Sequence, residues 1–280
     1  MTTPGLAPHT SSTSGDLPSA RILGMRVDCT SYQDAAQRIV AWARSGRGAT
    51  VCAANVHMVM ETYDDPSFRQ VVNQADLVTS DGMPLVWGLR WLGHPGASRV
   101  YGPDLTLVLL NAAEREQLPI AFYGGSPEAL ARLQQRVAAQ WPGIRVVCAI
   151  SPPFRSLTAD ENSRYCGQLR ESGARLVFVG LGCPKQERWI QENRSQLSGA
   201  VLLAVGAAFD FLTGAKPQAP RWMMRSGLEW LFRLVSEPAR LWRRYLILNP
   251  RFVALFAMQL LLGRVPPADP KQPPAPAQVR

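Results

Sequence analysis

The sequence predicts an α/β fold, a doubly wound and mostly parallel sheet followed by a basic helical appendage. Two observations predict it. Short apolar, β-rich runs alternate with helical patterns along most of the chain, and cationic residues concentrate near its C-terminal end. Regular alternation of strands and helices is typical of a parallel sheet covered by helices on both faces, as in Rossmann-like domains.

Six apolar runs have the length and the flanking turn residues of buried strands. We expect these strands at 49–54, 75–79, 119–123, 144–150, 175–180 and 200–205. Helical periodicity predicts helices between and beside them, at 31–45, 66–75, 103–117, 126–140, 159–172 and 184–195.

Composition divides the 280 residues into four parts. A polar tail (1–21) precedes the α/β domain (22–215), and a tail with six prolines (265–280) follows the appendage (216–264). Such tails lack the apolar residues of a packed core, so we expect both to be disordered. In the appendage, aromatic residues and arginines interleave over what we predict to be three helices, separated by Pro238 and Pro250.

The appendage carries most of the net charge. Nine cationic residues and two acidic ones contribute +7 of the total +9, which predicts an anionic partner such as lipid or a phosphorylated ligand. A helical cap with solvated arginines is the alternative. The run 252–263 is interrupted by Gln259 and is shorter than the roughly 20 residues that cross a bilayer, so we expect no membrane span.

Other patterns exclude several classes of protein. The five cysteines have neither zinc-ribbon nor disulfide-scaffold spacing, so we expect reduced thiols. The first twenty residues lack a basic start followed by an apolar run, which argues against a secretory signal and for a cytoplasmic protein. His9, His57 and His94 are far apart, and no Asp-x-Asp triplet is present, so arginine would have to neutralise any bound phosphate.

Polar and glycine-rich residues follow the predicted strands, at the sheet edge where α/β proteins bind ligands. These candidate site residues are Asn55, Asp81, Gly124, Gly125, Lys185, Gln186 and Asp210. Asp81 stands where a general base or a simple helix cap would stand. The turn Gly180-Leu181-Gly182 either directs backbone amide donors and Lys185 at an anion or is required only by packing. It lacks the third glycine of a dinucleotide-binding fingerprint, so it gives only weak support to a nicotinamide cofactor.

Eight segments, in order, resemble the WecG/TagA/CpsF family of bacterial glycosyltransferases. They are Asn55-Val56-His57, 75–86 with Ser80-Asp81-Gly82, 99–105, Phe122-Tyr123-Gly124-Gly125, 180–187, Gly206-Ala207-Ala208-Phe209-Asp210, 229–234 and 238–245. The resemblance implies an inverting, metal-independent transfer from a UDP-sugar to a polyprenyl-diphosphate-linked sugar. It also implies an enzyme of cell-surface polysaccharide synthesis, peripheral on the anionic inner face of the cell membrane, without cofactor or nucleic acid.

The resemblance also implies roles for individual residues. Asp81 matches the family's base, Asn55 and Gln186 match residues near the substrate, and Arg99 and Asp210 fall on family site positions. In the appendage, the matching arginines, expected over the diphosphate, are Arg233, Arg240 and Arg243. Ala53 replaces a common threonine, which leaves sugar preference open. A non-catalytic nucleotide-binding or polyanion-binding protein and an NAD-dependent oxidoreductase are the alternatives.

Overall fold

The computed structural model describes residues 17–265, so most of both predicted tails lies outside the described residues. The described chain forms eight strands: β1 (Ser19–Ile22), β2 (Met25–Asp28), β3 (Ala49–Ala54), β4 (Leu77–Ser80), β5 (Ile120–Gly124), β6 (Val146–Ile150), β7 (Leu176–Gly180) and β8 (Val201–Ala204). All six strands expected from the sequence are present, with ends displaced by a few residues at most.

Strands β3 to β8 form one parallel sheet in the order β4-β3-β8-β7-β5-β6, which confirms the predicted fold class. The sequence did not predict the antiparallel hairpin β1–β2. Its two-residue turn, Leu23-Gly24, has positive φ at both residues, as tight hairpin turns of this length require. Because β1 starts at Ser19, ordered structure begins ahead of the expected boundary at 22.

Helices cover both faces of the sheet, each face with its own apolar core. Before the appendage, the helices are α1 (Tyr32–Ser45), α2 (Val56–Asp64), α3 (Pro66–Asn73), α4 (Met83–Trp91), α5 (Gly102–Arg115), α6 (Pro127–Gln140), α7 (Ala159–Glu171), α8 (Lys185–Asn193) and α9 (Ala208–Leu212). Helices α2, α4 and the short α9 were not expected; α2 and α4 closely follow β3 and β4.

The appendage differs from the prediction in two places: two helices instead of one precede Pro238, and no helix ends at Pro250. It contains α10 (Arg221–Arg225), α11 (Glu229–Ser236), α12 (Pro238–Trp242), a π-helical turn (Arg243–Ile247) and α13 (Leu248–Leu262). The last three run on as one helix, Pro238–Leu262. Pro250 lies inside this helix without ending it, three residues after a π-helical turn that already departs from α-helical hydrogen bonding.

This long helix also changes the expectation about membrane spans. Its 25 residues have a mean hydropathy of 1.6 in the most apolar window, so by length and composition it could cross a bilayer. The prediction used only the apolar run 252–263, which is shorter than the helix that contains most of it. In the structure one face of α13 is docked on the domain, where the Gln259 side chain accepts a hydrogen bond from Leu23 N (2.8 Å) and donates one to Arg21 O (2.7 Å).

Candidate functional site

Two candidate site residues meet at the carboxyl ends of β3 and β4. The parallel register pairs Ala54 with Ser80, so Asn55 and Asp81 leave the sheet side by side. Asn55 begins α2, and its Oδ1 accepts a hydrogen bond from Met58 N at 3.3 Å. Asp81 precedes α4, whose N-cap position is held by Gly82 without a side-chain hydrogen bond. Asp81 is therefore not the helix cap, and its carboxylate has other partners.

The Asp81 carboxylate is largely shielded from water, with 16% of the side chain accessible, and Arg99 is its ion-pair partner. Its Oδ2 accepts a hydrogen bond from Gly102 N at 3.1 Å. The pKa of Asp81 is raised to about 6, mainly by burial; Arg99 opposes this rise, Glu229 adds to it, and the Gly102 amide and Arg233 also oppose it. An aspartate with this pKa is ionised at neutral pH and is more basic than an exposed one, as a general base requires.

Arg99 links Asp81 to the appendage. It donates from Nε to the Asp81 carbonyl, and its Nη2 lies 2.5 Å from Glu229 Oε2 and 3.7 Å from Asp81 Oδ1. It also donates to Met224 O at 3.4 Å, and its guanidinium lies over the Tyr101 ring. All three guanidinium nitrogens of Arg99 therefore already donate to protein groups. Glu229, its closest acidic partner, was not among the residues expected in the site.

A pocket opens beside Asp81 between the α/β domain and the appendage, with about 600 Å³ of space including the part open to solvent. Its lining includes four of the expected site residues, Asn55, Asp81, Arg99 and Arg233. The sequence did not single out three further lining groups: Glu229, Arg244 and Tyr245. The pocket therefore contains a buried carboxylate base candidate together with arginines from the appendage.

Gln186 lies outside the pocket lining and occupies a structural position. It is buried, and its Oε1 accepts hydrogen bonds from Gly182 N (3.2 Å) and Gly206 N (3.1 Å). Its Nε2 donates to the Glu187 carboxyl at 2.7 Å. Gln186 thus braces the two turns that end β7 and β8 and has little capacity left for a ligand. Lys185, beside it, is exposed at the start of α8.

The remaining expected residues lie along the sheet edge outside the pocket lining. Gly124 has φ +122°, and a Cβ there would lie 2.5 Å from the Gly180 carbonyl, so the close approach of β5 and β7 requires glycine. Gly125 accepts a hydrogen bond from the Ser151 hydroxyl. Asp210 pairs with Lys216 at 2.8 Å.

Two appendage arginines also lie outside the lining. Arg240 pairs with Glu237 at 2.7 Å. Arg243 is exposed and lies over the Trp242 ring at 5.2 Å. The resemblance places Ala53 where the family commonly has a threonine. Ala53 is near Asp81, because a Cβ added at Gly102 would lie 3.3 Å from both the Ala53 Cβ and Asp81 Oδ2. Across residues 17–265, no group of three or more His, Cys, Asp or Glu side chains could hold a metal ion.

Comparisons with known proteins found a matching family and a related enzyme. The model of the glycosyl transferase WecG/TagA/CpsF family matches residues 20–265. A protein of Bacillus spizizenii named N-acetylglucosaminyldiphosphoundecaprenol N-acetyl-beta-D-mannosaminyltransferase is 31% identical over 207 residues, which cover 74% of this chain and 78% of the relative. The matched region includes nearly all of the described structure, from the β1–β2 hairpin to the end of α13. On this evidence the chain belongs to the WecG/TagA/CpsF family of glycosyl transferases.

Proposed function

We propose that the protein transfers a sugar from a UDP-sugar to a polyprenyl-diphosphate-linked sugar, with inversion and without a metal ion, in cell-surface polysaccharide synthesis. Family membership supports glycosyl transfer, and the name of the relative supports the acceptor class. The observation that carries the proposal is the buried Asp81 carboxylate, with a pKa of about 6, in a pocket that also holds Arg233 and Arg244.

Asp81 acts as the base in this mechanism. The acceptor hydroxyl has a pKa far above 7, so it becomes an effective nucleophile only as its proton passes to a carboxylate. As the oxygen bonds to the anomeric carbon, the bond from that carbon to the UDP oxygen breaks and its electron pair leaves with UDP. A single displacement of this kind inverts the configuration at the anomeric carbon.

Arginines replace a metal ion at the leaving group. Charge develops on the UDP diphosphate as the glycosidic bond breaks, and fixed guanidinium groups in a shielded pocket stabilise such charge. Arg233 lines the pocket and is held over the Phe211 ring at 5.5 Å. The Arg99 guanidinium is already bound by Asp81 and Glu229, so we assign it to positioning rather than to substrate binding.

The appendage also suits the inner face of a membrane. Several of its large apolar side chains are exposed, with Leu261 85% and Val253 63% accessible. The exposed cations Arg243 and Arg264 lie on the same long helix and two residues beyond its end, respectively. Interfacial helices combine apolar and basic groups in this way. Because α13 is docked on the domain through Gln259, we propose peripheral association rather than a span.

The test is a panel of UDP-sugars incubated with a short-chain polyprenyl-diphosphate sugar, with products identified by mass. We expect UDP release and a product one sugar heavier, with one donor preferred. Binding of UDP without transfer to any acceptor would favour the non-catalytic alternative. A nicotinamide signal on titration with NAD would favour the oxidoreductase alternative.

A further inference from the structure

Arg244 is a shielded cation without an ion pair. Its Nη2 makes one long hydrogen bond, 3.4 Å to Asn55 Oδ1, an oxygen that Met58 N also uses. Its Nε is closed off from solvent and has no hydrogen-bond partner in the described chain, 17–265, where no ion pair to Arg244 is formed either. An N–H donor that is closed off from water normally has a hydrogen-bond partner, and the Nε of Arg244 lacks one.

The surroundings of Arg244 disfavour its charged form. Burial lowers the pKa of Arg244, and the charges of Arg233 and Arg240 lower it further, against the opposing effects of Tyr245 and Cys183. His57 supplies no negative charge, and burial together with Arg244 keeps its own pKa well below 6.5. Glu61 acts on Arg244 without forming an ion pair, and burial raises the pKa of Glu61 to about 6. In the pocket lining, the carboxylates Asp81 and Glu229 pair with Arg99, which leaves Arg233 and Arg244 as the lining cations that an anion could contact.

The π-helical turn gives Arg244 its position. In this turn, Arg243–Ile247, each backbone bond spans one residue more than in an α-helix, so the side chains shift around the axis. Arg244 and Tyr245 both line the pocket, whereas Arg243 is exposed over Trp242. Single π-helical turns inside longer helices are frequent at functional sites.

We propose that Arg244, with Asn55 and Arg233, binds the diphosphate group of a substrate. This inference rests on the proposed function and adds a binding residue to it. Arginine donates through a planar fork that matches phosphate oxygens, and the unused Nε of Arg244 is part of that fork. The diphosphate belongs either to the nucleotide or to the isoprenyl acceptor, since both share this chemistry.

The experiment measures equilibrium binding to the full-length protein of two probes, UDP and a short-chain isoprenyl-diphosphate sugar. The variants are Arg244→Gln, Arg244→Lys and, as a control for net charge, Arg264→Gln, which is exposed two residues beyond the far end of the same helix. We expect Arg244→Gln to weaken at least one probe tenfold or more, Arg244→Lys to be intermediate, and Arg264→Gln to match the wild type. The probe that loses affinity identifies which diphosphate Arg244 binds.

Thermal unfolding without ligand separates binding from a structural role. Because Arg244 has no ion pair, we expect Arg244→Gln to unfold at the same temperature as the wild type or higher. The inference would be overturned if Arg244→Gln bound both probes with an affinity within twofold of the wild type. It would also be overturned if Arg244→Gln unfolded at a lower temperature and lost affinity equally for both probes. A wild-type protein that binds neither probe would instead contradict the proposed function itself.

Discussion

Glu229→Gln tests how the appendage controls the base. Arg99 Nη2 lies 2.5 Å from Glu229 Oε2 and 3.7 Å from Asp81 Oδ1, so the two carboxylate oxygens are at most about 6 Å apart. Two charges at that distance interact by ~3 kcal/mol at an effective dielectric constant of ~20, equivalent to ~2 pKa units. Solvent screening reduces this figure. We therefore expect the pKa of Asp81 to fall by about one unit from its value of about 6.

The assay is kcat/KM for transfer to a water-soluble acceptor analogue between pH 4.5 and 8. Asp81 works when ionised, so activity rises with pH through its pKa, and Glu229→Gln should move this acid limb to lower pH. Turnover on the plateau should fall several-fold because a less basic carboxylate is a weaker proton acceptor. Glu116→Gln, which removes the same charge from a surface pair with Arg44, is the control. An unmoved acid limb, or one displaced to higher pH, would refute this reasoning.

Three further predictions concern the metal question, the appendage and the fold. Transfer should survive EDTA, and a dose-dependent requirement for added magnesium or manganese would contradict the role given to the arginines. Arg233→Ala should lower transfer to the soluble analogue more than Arg240→Ala, because Arg233 lines the pocket and Arg240 pairs with Glu237; equal losses would count against it. Gln259→Leu should lower the free energy of unfolding in denaturant by about 1–3 kcal/mol, because Leu23 N and Arg21 O lose their hydrogen-bond partner. Met258→Ala, on the exposed face of the same helix, should leave it unchanged.

The sheet could be predicted from the sequence because its strands are continuous apolar runs. The helices α2 and α4 were missed for a local reason. Each is nine residues long, and α4 combines Pro84 and Gly88 with apolar side chains on all faces, so it shows no clear helical periodicity. The hairpin was missed because its strands are only four residues long.

The candidate site was predictable where local sequence controls position. Asn55 and Asp81 follow adjacent strands, and strand ends can be read from the sequence. The ion pair of Arg99 with Glu229 joins residues 130 positions apart, and no local pattern indicates it. Arg244 and not Arg243, the residue that the resemblance implied, lines the pocket; both lie in a π-helical turn that sequence periodicity does not reveal.

Asp81→Asn is the variant that tests the central claim most directly, measured as turnover of UDP-sugar and soluble acceptor analogue alongside UDP binding. The amide keeps the shape of the side chain and can still accept a hydrogen bond from Gly102 N, but it cannot take the proton. The account predicts unchanged UDP affinity and a fall in turnover on the order of 10²-fold or more. Turnover above half of the wild-type value, with UDP still bound, would contradict the assignment of Asp81 as the base.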